Sequence, residues 1–149
     1  MLAARSLASF AGETLGDSLE AILSSPNGRD GKRLATWAAR RFAARRETLL
    51  VEAPIPTEAG WRIAMEIDDT RLFIDVLPVA GPDGPVWALE LHPPKAGVTE
   101  KARKRRTMAF FKALNAAHQI LSASPLVDLR WHEPARFRAG EQRGRKAPF

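Results

Sequence analysis

LFIDVLPVAGPDGPVWALEL, residues Leu72–Leu91, decides how the rest of this chain folds. It consists of two apolar runs on either side of Pro78–Pro85, a segment with three prolines and two glycines. Short apolar runs bounded by proline and glycine are typical of strands inside a sheet. We therefore predict two antiparallel strands, Leu72–Leu77 and Val86–Leu91, joined by a loop.

Each of these predicted strands carries one acid where a core residue would be expected, Asp75 in the first and Glu90 in the second. A buried carboxylate is costly unless it is paired or bound to a metal. If Asp75 pairs across the hairpin near Ala88, Glu90 is its diagonal neighbour on the same face of the sheet. Two such carboxylates suit a divalent cation, Mg²⁺ or Mn²⁺, whereas a slip of one residue separates them onto opposite faces. The alternative is that both acids pair with arginines from the helices.

Two helices and a strand are predicted before the hairpin. Apolar residues at helical spacing predict a short helix over Glu13–Ser24 and a second one over about Asp30–Glu47. Trp61–Ile67 alternates apolar and polar residues, as a half-buried strand does, and Asp68-Asp69-Thr70 forms the turn into the hairpin. The first twelve residues are interpreted as the frayed start of the first helix, with an organelle transit peptide as the alternative because they contain no acid.

A third helix and a fourth strand are predicted after the hairpin. Thr99 is a suitable N-cap, and the helix should run to about Ser122. His118 lies on its apolar face and is interpreted as a core histidine. Leu126–Trp131 alternates as a strand. From Pro134 onward the chain has many charges and few apolar residues, which predicts a disordered basic tail.

The order helix–helix–strand–strand–strand–helix–strand predicts an α+β fold of two layers, with helices over one face of a sheet. A chain of 149 residues suits one domain. We place this domain at residues 1–133, with 1–29 as an N-terminal helical extension and 134–149 as the tail. Cysteine is absent, which excludes disulfides and thiolate metal sites. No apolar run approaches the ~20 residues that span a bilayer, so we expect no membrane partner and a cytoplasmic location, with an organelle matrix as the alternative.

Positive charge is concentrated in three segments. Arg29–Arg46 carries +6, Thr99–Lys112 carries +5 and Arg130–Phe149 carries +4, although the whole chain carries only +6. The remainder therefore carries −9. Such segregation makes a one-sided field that suits nucleic acid or another acidic surface. The alternative is a pair of ordinary solvated helix faces.

The helix, three-strand meander, helix and strand, with an acid on each of two strands, resemble the PD-(D/E)XK nuclease core. The residues that carry this resemblance are Asp75, Glu90-Leu91-His92 and, at the end of the preceding helix, Glu47. It implies a metal-dependent nuclease with Asp75 and Glu90 as metal ligands and His92 and Glu47 as further catalytic residues. One position departs from the family pattern, because His92 stands where the family has a lysine.

The helix start TEKARKRRTMAFFK, Thr99–Lys112, crowds five basic residues into two turns. Side chains and free backbone N–H groups at such a helix start would bind phosphates. Three strands between two helices, with a basic start to the second helix, are also similar to double-stranded-RNA-binding domains, which read helical shape and phosphates. The candidate nucleic-acid-binding residues are Lys101, Arg103, Lys104, Arg105 and Arg106, with Arg41 and Arg45 from the preceding helix.

Three functions follow from these patterns. The leading one is a non-catalytic nucleic-acid-binding or nucleoprotein-assembly module with DNA or RNA as partner. The first alternative is the metal-dependent nuclease, and the second is an adaptor whose basic tail binds an acidic protein surface. No motif proves a reaction, so the sequence leaves open whether the protein is an enzyme.

Overall fold

The computed structural model describes residues 7–11, 28–46, 50–81, 84–95, 97–123, 127–134, 144–146 and 148. These residues form an α+β fold in which two helices pack on one face of an antiparallel sheet. The helices are α1 (Gly28–Ala43) and α2 (Glu100–Ser122). The strands are β1 (Leu7–Ala11), β2 (Leu50–Val51), β3 (Ile55–Pro56), β4 (Trp61–Ile67), β5 (Thr70–Gly81), β6 (Gly84–His92) and β7 (Val127–His132).

The sheet order is β2–β4–β5–β6–β1–β7, and β3 also pairs with β4. Because β2 and β3 pair with the same side of β4, they act as one interrupted edge strand. The predicted meander β4–β5–β6 is present, and β4 has the predicted bounds. Asp68 and Asp69 form its first turn with φ angles of 49° and 57°. Both turn residues therefore have positive φ, as the tight two-residue turn that matches strand twist requires.

The predicted loop over Pro78–Pro85 is wrong. The β5–β6 ladder continues through Pro78↔Trp87 and Ala80↔Pro85 to Gly81↔Gly84. Pro78 is tolerated because β4 ends at Trp61, opposite Val76, so β5 has only one neighbour beyond that point. Proline is compatible with such an edge, where its missing N–H is not needed by a second neighbour.

The N-terminal prediction is also wrong where the structure describes it. Residues Leu7–Ala11 are not the start of a helix but strand β1, which lies between β6 and β7. Ala8 faces the core with none of its surface exposed. The remainder of the predicted first helix, Glu13–Ser24, lies outside the described residues.

The two described helices follow the sequence closely. Leu34, Ala38 and Phe42 of α1 are buried, as the predicted apolar stripe requires. The N-cap of α2 is confirmed, because the Thr99 side chain accepts a hydrogen bond from the Ala102 N–H at 3.1 Å. The helix also ends at Ser122, as predicted.

One continuous core lies between the helices and the sheet. It combines buried residues of α1 and α2 with the alternate residues of β4, β5 and β6 that face them. Trp131 of β7 closes the core, and its indole Nε1 donates to Nδ1 of His118 at 3.2 Å. His118 is half-buried, and its Nδ1 is the acceptor in this contact.

A disordered tail is not confirmed at the described positions beyond residue 134. Arg145 forms an antiparallel bridge with Trp131, through N–H to O distances of 2.6 and 2.7 Å in the two directions. Pro148 is buried. Residues 135–143, 147 and 149 lie outside the described residues.

Candidate functional site

The two acids of the central hairpin lie directly opposite each other. The ladder pairs Asp75 with Glu90, so the predicted pairing near Ala88 is wrong by two residues. Directly paired residues of an antiparallel ladder project on the same face, and here that face points away from the two helices. The hairpin therefore places both acids together, as expected, but as opposed rather than diagonal neighbours.

Asp75 is held by two cationic partners. Arg62 donates from Nε to Oδ1 at 2.7 Å and from Nη2 to Oδ2 at 3.0 Å. His92 Nε2 lies 2.7 Å from Oδ2. A bidentate arginine and a histidine together satisfy both carboxylate oxygens. The arginine comes from the neighbouring strand β4, not from a helix as the alternative supposed.

The electrostatics of this cluster favour its charged form. Burial would raise the pKa of Asp75, but hydrogen bonds from His92 and Arg62 outweigh it and lower that pKa from 3.8 to about 2. The hydrogen bond to Asp75 raises the pKa of His92, against the opposing effect of burial. Nearby Glu90, whose surface is 5% exposed, raises it further. The cluster is thus an ion pair that persists well below neutral pH.

This geometry does not favour the predicted Mg²⁺ or Mn²⁺ site. A cation would have to displace Arg62 and His92 from Asp75. The described residues contain no group of three or more His, Cys, Asp or Glu side chains that could hold a metal. Glu47, the predicted helical acid, lies outside the described part of the chain. A catalytic role for Asp75, Glu90 and His92 stays a prediction, and the ion pair gives Asp75 a structural explanation.

Arg71 lies on the same face of the sheet and is also engaged by neighbouring side chains. The guanidinium carbons of Arg62 and Arg71 lie 5.4 and 5.5 Å from the centroid of the Phe73 ring. Arg71 also pairs with Glu52 at 3.0 Å. Arg62 and Arg71 of this face are therefore engaged by acids and an aromatic ring.

The predicted basic helix start differs from that face, because it projects beyond the core. None of residues 100–108 is buried, and burial along α2 begins at Ala109. At 1.5 Å per residue, this part of the helix is about 13 Å long. Four basic side chains in this part of the helix are exposed: Lys101, Arg103, Lys104 and Arg105.

Few of these four charges are neutralised. Lys104 pairs with Glu100 at 3.5 Å, but both side chains are about four-fifths exposed, so the pair is weak. The side chains of Lys101, Arg103 and Arg105 make no hydrogen bond or ion pair with the other described residues. Arg106 is turned inward instead, and its Nη1 donates to the Lys95 carbonyl at 2.7 Å. The projecting turns therefore present a concentrated positive charge to solvent.

The segment before α2 holds the projecting turns in place. Gly97 is buried against the helix, and a Cβ there would lie 2.5 Å from the Ala102 Cβ and 2.8 Å from the Arg103 nitrogen. Only glycine permits this close approach. The Ala102 N–H is taken by Thr99, so this backbone group is not free for phosphate as the sequence suggested.

The two α1 candidates have different surroundings. Arg41 is exposed, and its guanidinium carbon lies 5.7 Å from the centroid of the Trp37 ring. Arg45, just after α1, donates to the side-chain oxygen of Gln119 and so ties α1 to α2. Arg45 therefore serves helix packing, whereas Arg41 remains accessible together with Arg33, Arg40 and Arg46.

Sequence reasoning missed Arg62 and Gly97. The two-residue turn at Asp68-Asp69 fixes the β4–β5 register, and that register places Arg62 opposite Asp75. The signal for the ion pair was therefore present in the sequence. No comparable signal exists for Gly97, because its role depends on how closely the chain at residues 97–98 approaches the helix.

No protein-family model, curated protein or solved structure matches this chain. The resemblances to the PD-(D/E)XK core and to double-stranded-RNA-binding domains therefore stay predictions that rest on the quoted residues. Neither of the described helices is long and apolar enough to cross a membrane.

Proposed function

We propose that this protein is a non-catalytic nucleic-acid-binding module whose primary contact is the projecting start of α2. The observation that carries the proposal is the exposure of Lys101, Arg103, Lys104 and Arg105 on helical turns in which no residue is buried. Cationic side chains supply most of the affinity of proteins for nucleic acid, because each neutralised phosphate releases counterions. The exposed arginines of α1 would add contacts beside this surface.

Two features support the non-catalytic form of this function. Asp75 already accepts three hydrogen bonds from Arg62 and His92, so a catalytic cation would have to compete with two positively charged side chains for it. His92, which stands where the nuclease pattern has lysine, donates to the same carboxylate and is not directed at an open site. Asp75 thus has a structural role in the sheet, and the exposed bases of the two helices are available to a partner.

The adaptor function has less support. A protein-docking surface is expected to expose a contiguous apolar patch of several hundred Å². Among the described residues, the large exposed apolar side chains are Ile55, Val98 and Met108. Ile55 lies on the edge strand β3, far along the chain from the other two. Single apolar residues of this kind are normal on a protein surface.

The test is the salt dependence of binding to a fluorescent DNA or RNA probe. The logarithm of the association constant should fall linearly with the logarithm of salt concentration, at about −0.9 per phosphate contact on duplex DNA. Replacing Lys101, Arg103, Lys104 and Arg105 with alanine should make the slope shallower by about 3 to 4 units. Because all four side chains are exposed, the variant should fold normally.

A charge-conserving variant, K101R/R103K/K104R/R105K, is the matched control, and it should retain the wild-type slope. The proposal fails if the wild type binds no nucleic acid at low salt. It also fails if the alanine variant keeps the wild-type slope, since the contacts would then lie elsewhere.

A further inference from the structure

Met108 stands out on the solvent side of α2, because it is a large apolar residue that is 57% exposed. Three of its four helical neighbours are basic: Lys104 lies four residues before it, Arg105 three before and Lys112 four after, while Phe111, three after, is partly buried against the core. Residues three and four apart are adjacent on a helix surface. Met108 is therefore an apolar side chain framed by cations on the exposed face.

This face forms a continuous stripe. Lys101, Lys104, Arg105, Met108 and Lys112 share one side of the helix and are all exposed, while the opposite side holds the buried residues that begin at Ala109. From Lys101 to Lys112 the stripe is about 16 Å long. It is long enough to cross the major groove of B-form DNA, which is about 12 Å wide and admits an α-helix.

The charge along the stripe is not uniform. Lys112 is paired with Asp68 at 2.6 Å, and both side chains are less than half exposed. Lys101 and Arg105 have no such partner among the described residues. The free cations therefore lie on the N-terminal side of Met108, on the turns that project beyond the core.

We infer that the nucleic acid of the proposed function is B-form duplex DNA, and that the exposed face of α2 enters its major groove. In this arrangement Lys101, Lys104 and Arg105 contact phosphates at the groove walls. Met108 contacts the groove floor, where the thymine methyl group offers an apolar surface. The inference rests on the proposed function and specifies its substrate class.

The other anionic partners fit this stripe less well. The major groove of A-form RNA is deep and narrow and does not admit side chains on a helix in this way. Single strands are bound by stacking on exposed aromatic residues, whereas Phe111, the aromatic residue beside the stripe, is partly buried against the core. A membrane surface requires a broad apolar helix face, whereas Met108 is a single apolar residue among cations.

The experiment compares three fluorescent probes at one salt concentration: duplex DNA of about 20 base pairs, duplex RNA of the same sequence and single-stranded DNA. Wild-type protein should bind the DNA duplex at least about tenfold more tightly than the RNA duplex or the single strand. Met108→Ala should weaken binding to the DNA duplex about fivefold and leave the other two affinities unchanged.

Ile55→Ala is the matched control, since Ile55 is also 57% exposed but lies on the edge strand β3. It should bind all three probes like wild type. Equal or tighter binding of the RNA duplex or single strand overturns the inference and leaves the proposed function standing. The inference is also overturned, and the proposed function left standing, if Met108→Ala binds the three probes with the same affinities as Ile55→Ala. Failure to bind any of the three probes overturns the proposed function as well, which separates the two failures.

Discussion

Replacement of Asp75 by asparagine tests whether the central acid is structural or metal-binding. In the structure the carboxylate accepts two hydrogen bonds from Arg62 and one from His92. Its side chain is only 17% exposed. Asparagine has a similar size but no charge, so the substitution leaves two cations without their shared anion. Loss of one partner from a partly buried ion pair is destabilising because the remaining charge is not compensated.

The magnitude follows from the pKa of Asp75, which is lowered from 3.8 to about 2. A shift of that size corresponds to about 2 kcal/mol of stability. In a chain of this length, this is roughly 4–8 °C in the melting temperature. Because the folded pKa lies below the unfolded one, the contribution is present above about pH 4 and is lost as the pH falls towards 2. The difference between wild type and variant should therefore shrink in acid.

The assay is a series of thermal melts at several pH values, with and without Mn²⁺. Asp69→Asn is the matched control, since Asp69 is exposed in the β4–β5 turn at a φ of 57° that asparagine also adopts. It should melt like wild type. A metal site predicts the opposite signs: Asp75→Asn would raise stability, and Mn²⁺ would stabilise the wild type by about 2.7 kcal/mol at a hundredfold excess over its dissociation constant. That result would refute the ion-pair account.

Two further substitutions test the surroundings of the two sites. His92→Gln should destabilise the protein at acidic pH and have a decreasing effect as the pH rises. The pKa of His92 is raised, so its charged contact with Asp75 is present in acid and lost at high pH. A difference in melting temperature that does not depend on pH would contradict this. Gly97→Ala should lower the free energy of unfolding by about 1–3 kcal/mol, since the added Cβ would meet Ala102 and Arg103. A denaturant titration that finds wild-type stability would show that the segment before α2 can move away at no cost.

Much of the meander and of α2 could be predicted from sequence because their signals are local. Strict alternation set the bounds of β4, and Thr99 marked the start of α2. In contrast, β1 has the sequence LASFA, which carries no strong strand preference. It is a strand because β6 and β7, about 80 and 120 residues away in the chain, pair with it on both sides. Such long-range pairing leaves no local pattern.

The candidate site also has features that could be predicted from sequence and features that could not. The bases of α2 and the acids of the hairpin were visible as residues, and the turn at Asp68-Asp69 fixed the pairing of Arg62 with Asp75. The projection of the helix start was not predictable, because it depends on where the sheet ends and the core stops covering α2. The exposure of Met108 has the same origin. The charges can thus be identified from sequence, and only the packing shows which of them are free.

The most direct test of the nucleic-acid interface is a titration of ¹⁵N-labelled protein with duplex DNA, followed by backbone amide chemical shifts. The account predicts that the largest shift changes map to residues 101–112 of α2, with smaller changes on the exposed arginines of α1. The face of the sheet around Phe73 and Asp75 should change little, because Arg62 and Arg71 are already engaged there. Shift changes centred on Phe73 and Asp75, with α2 unaffected, would contradict the account.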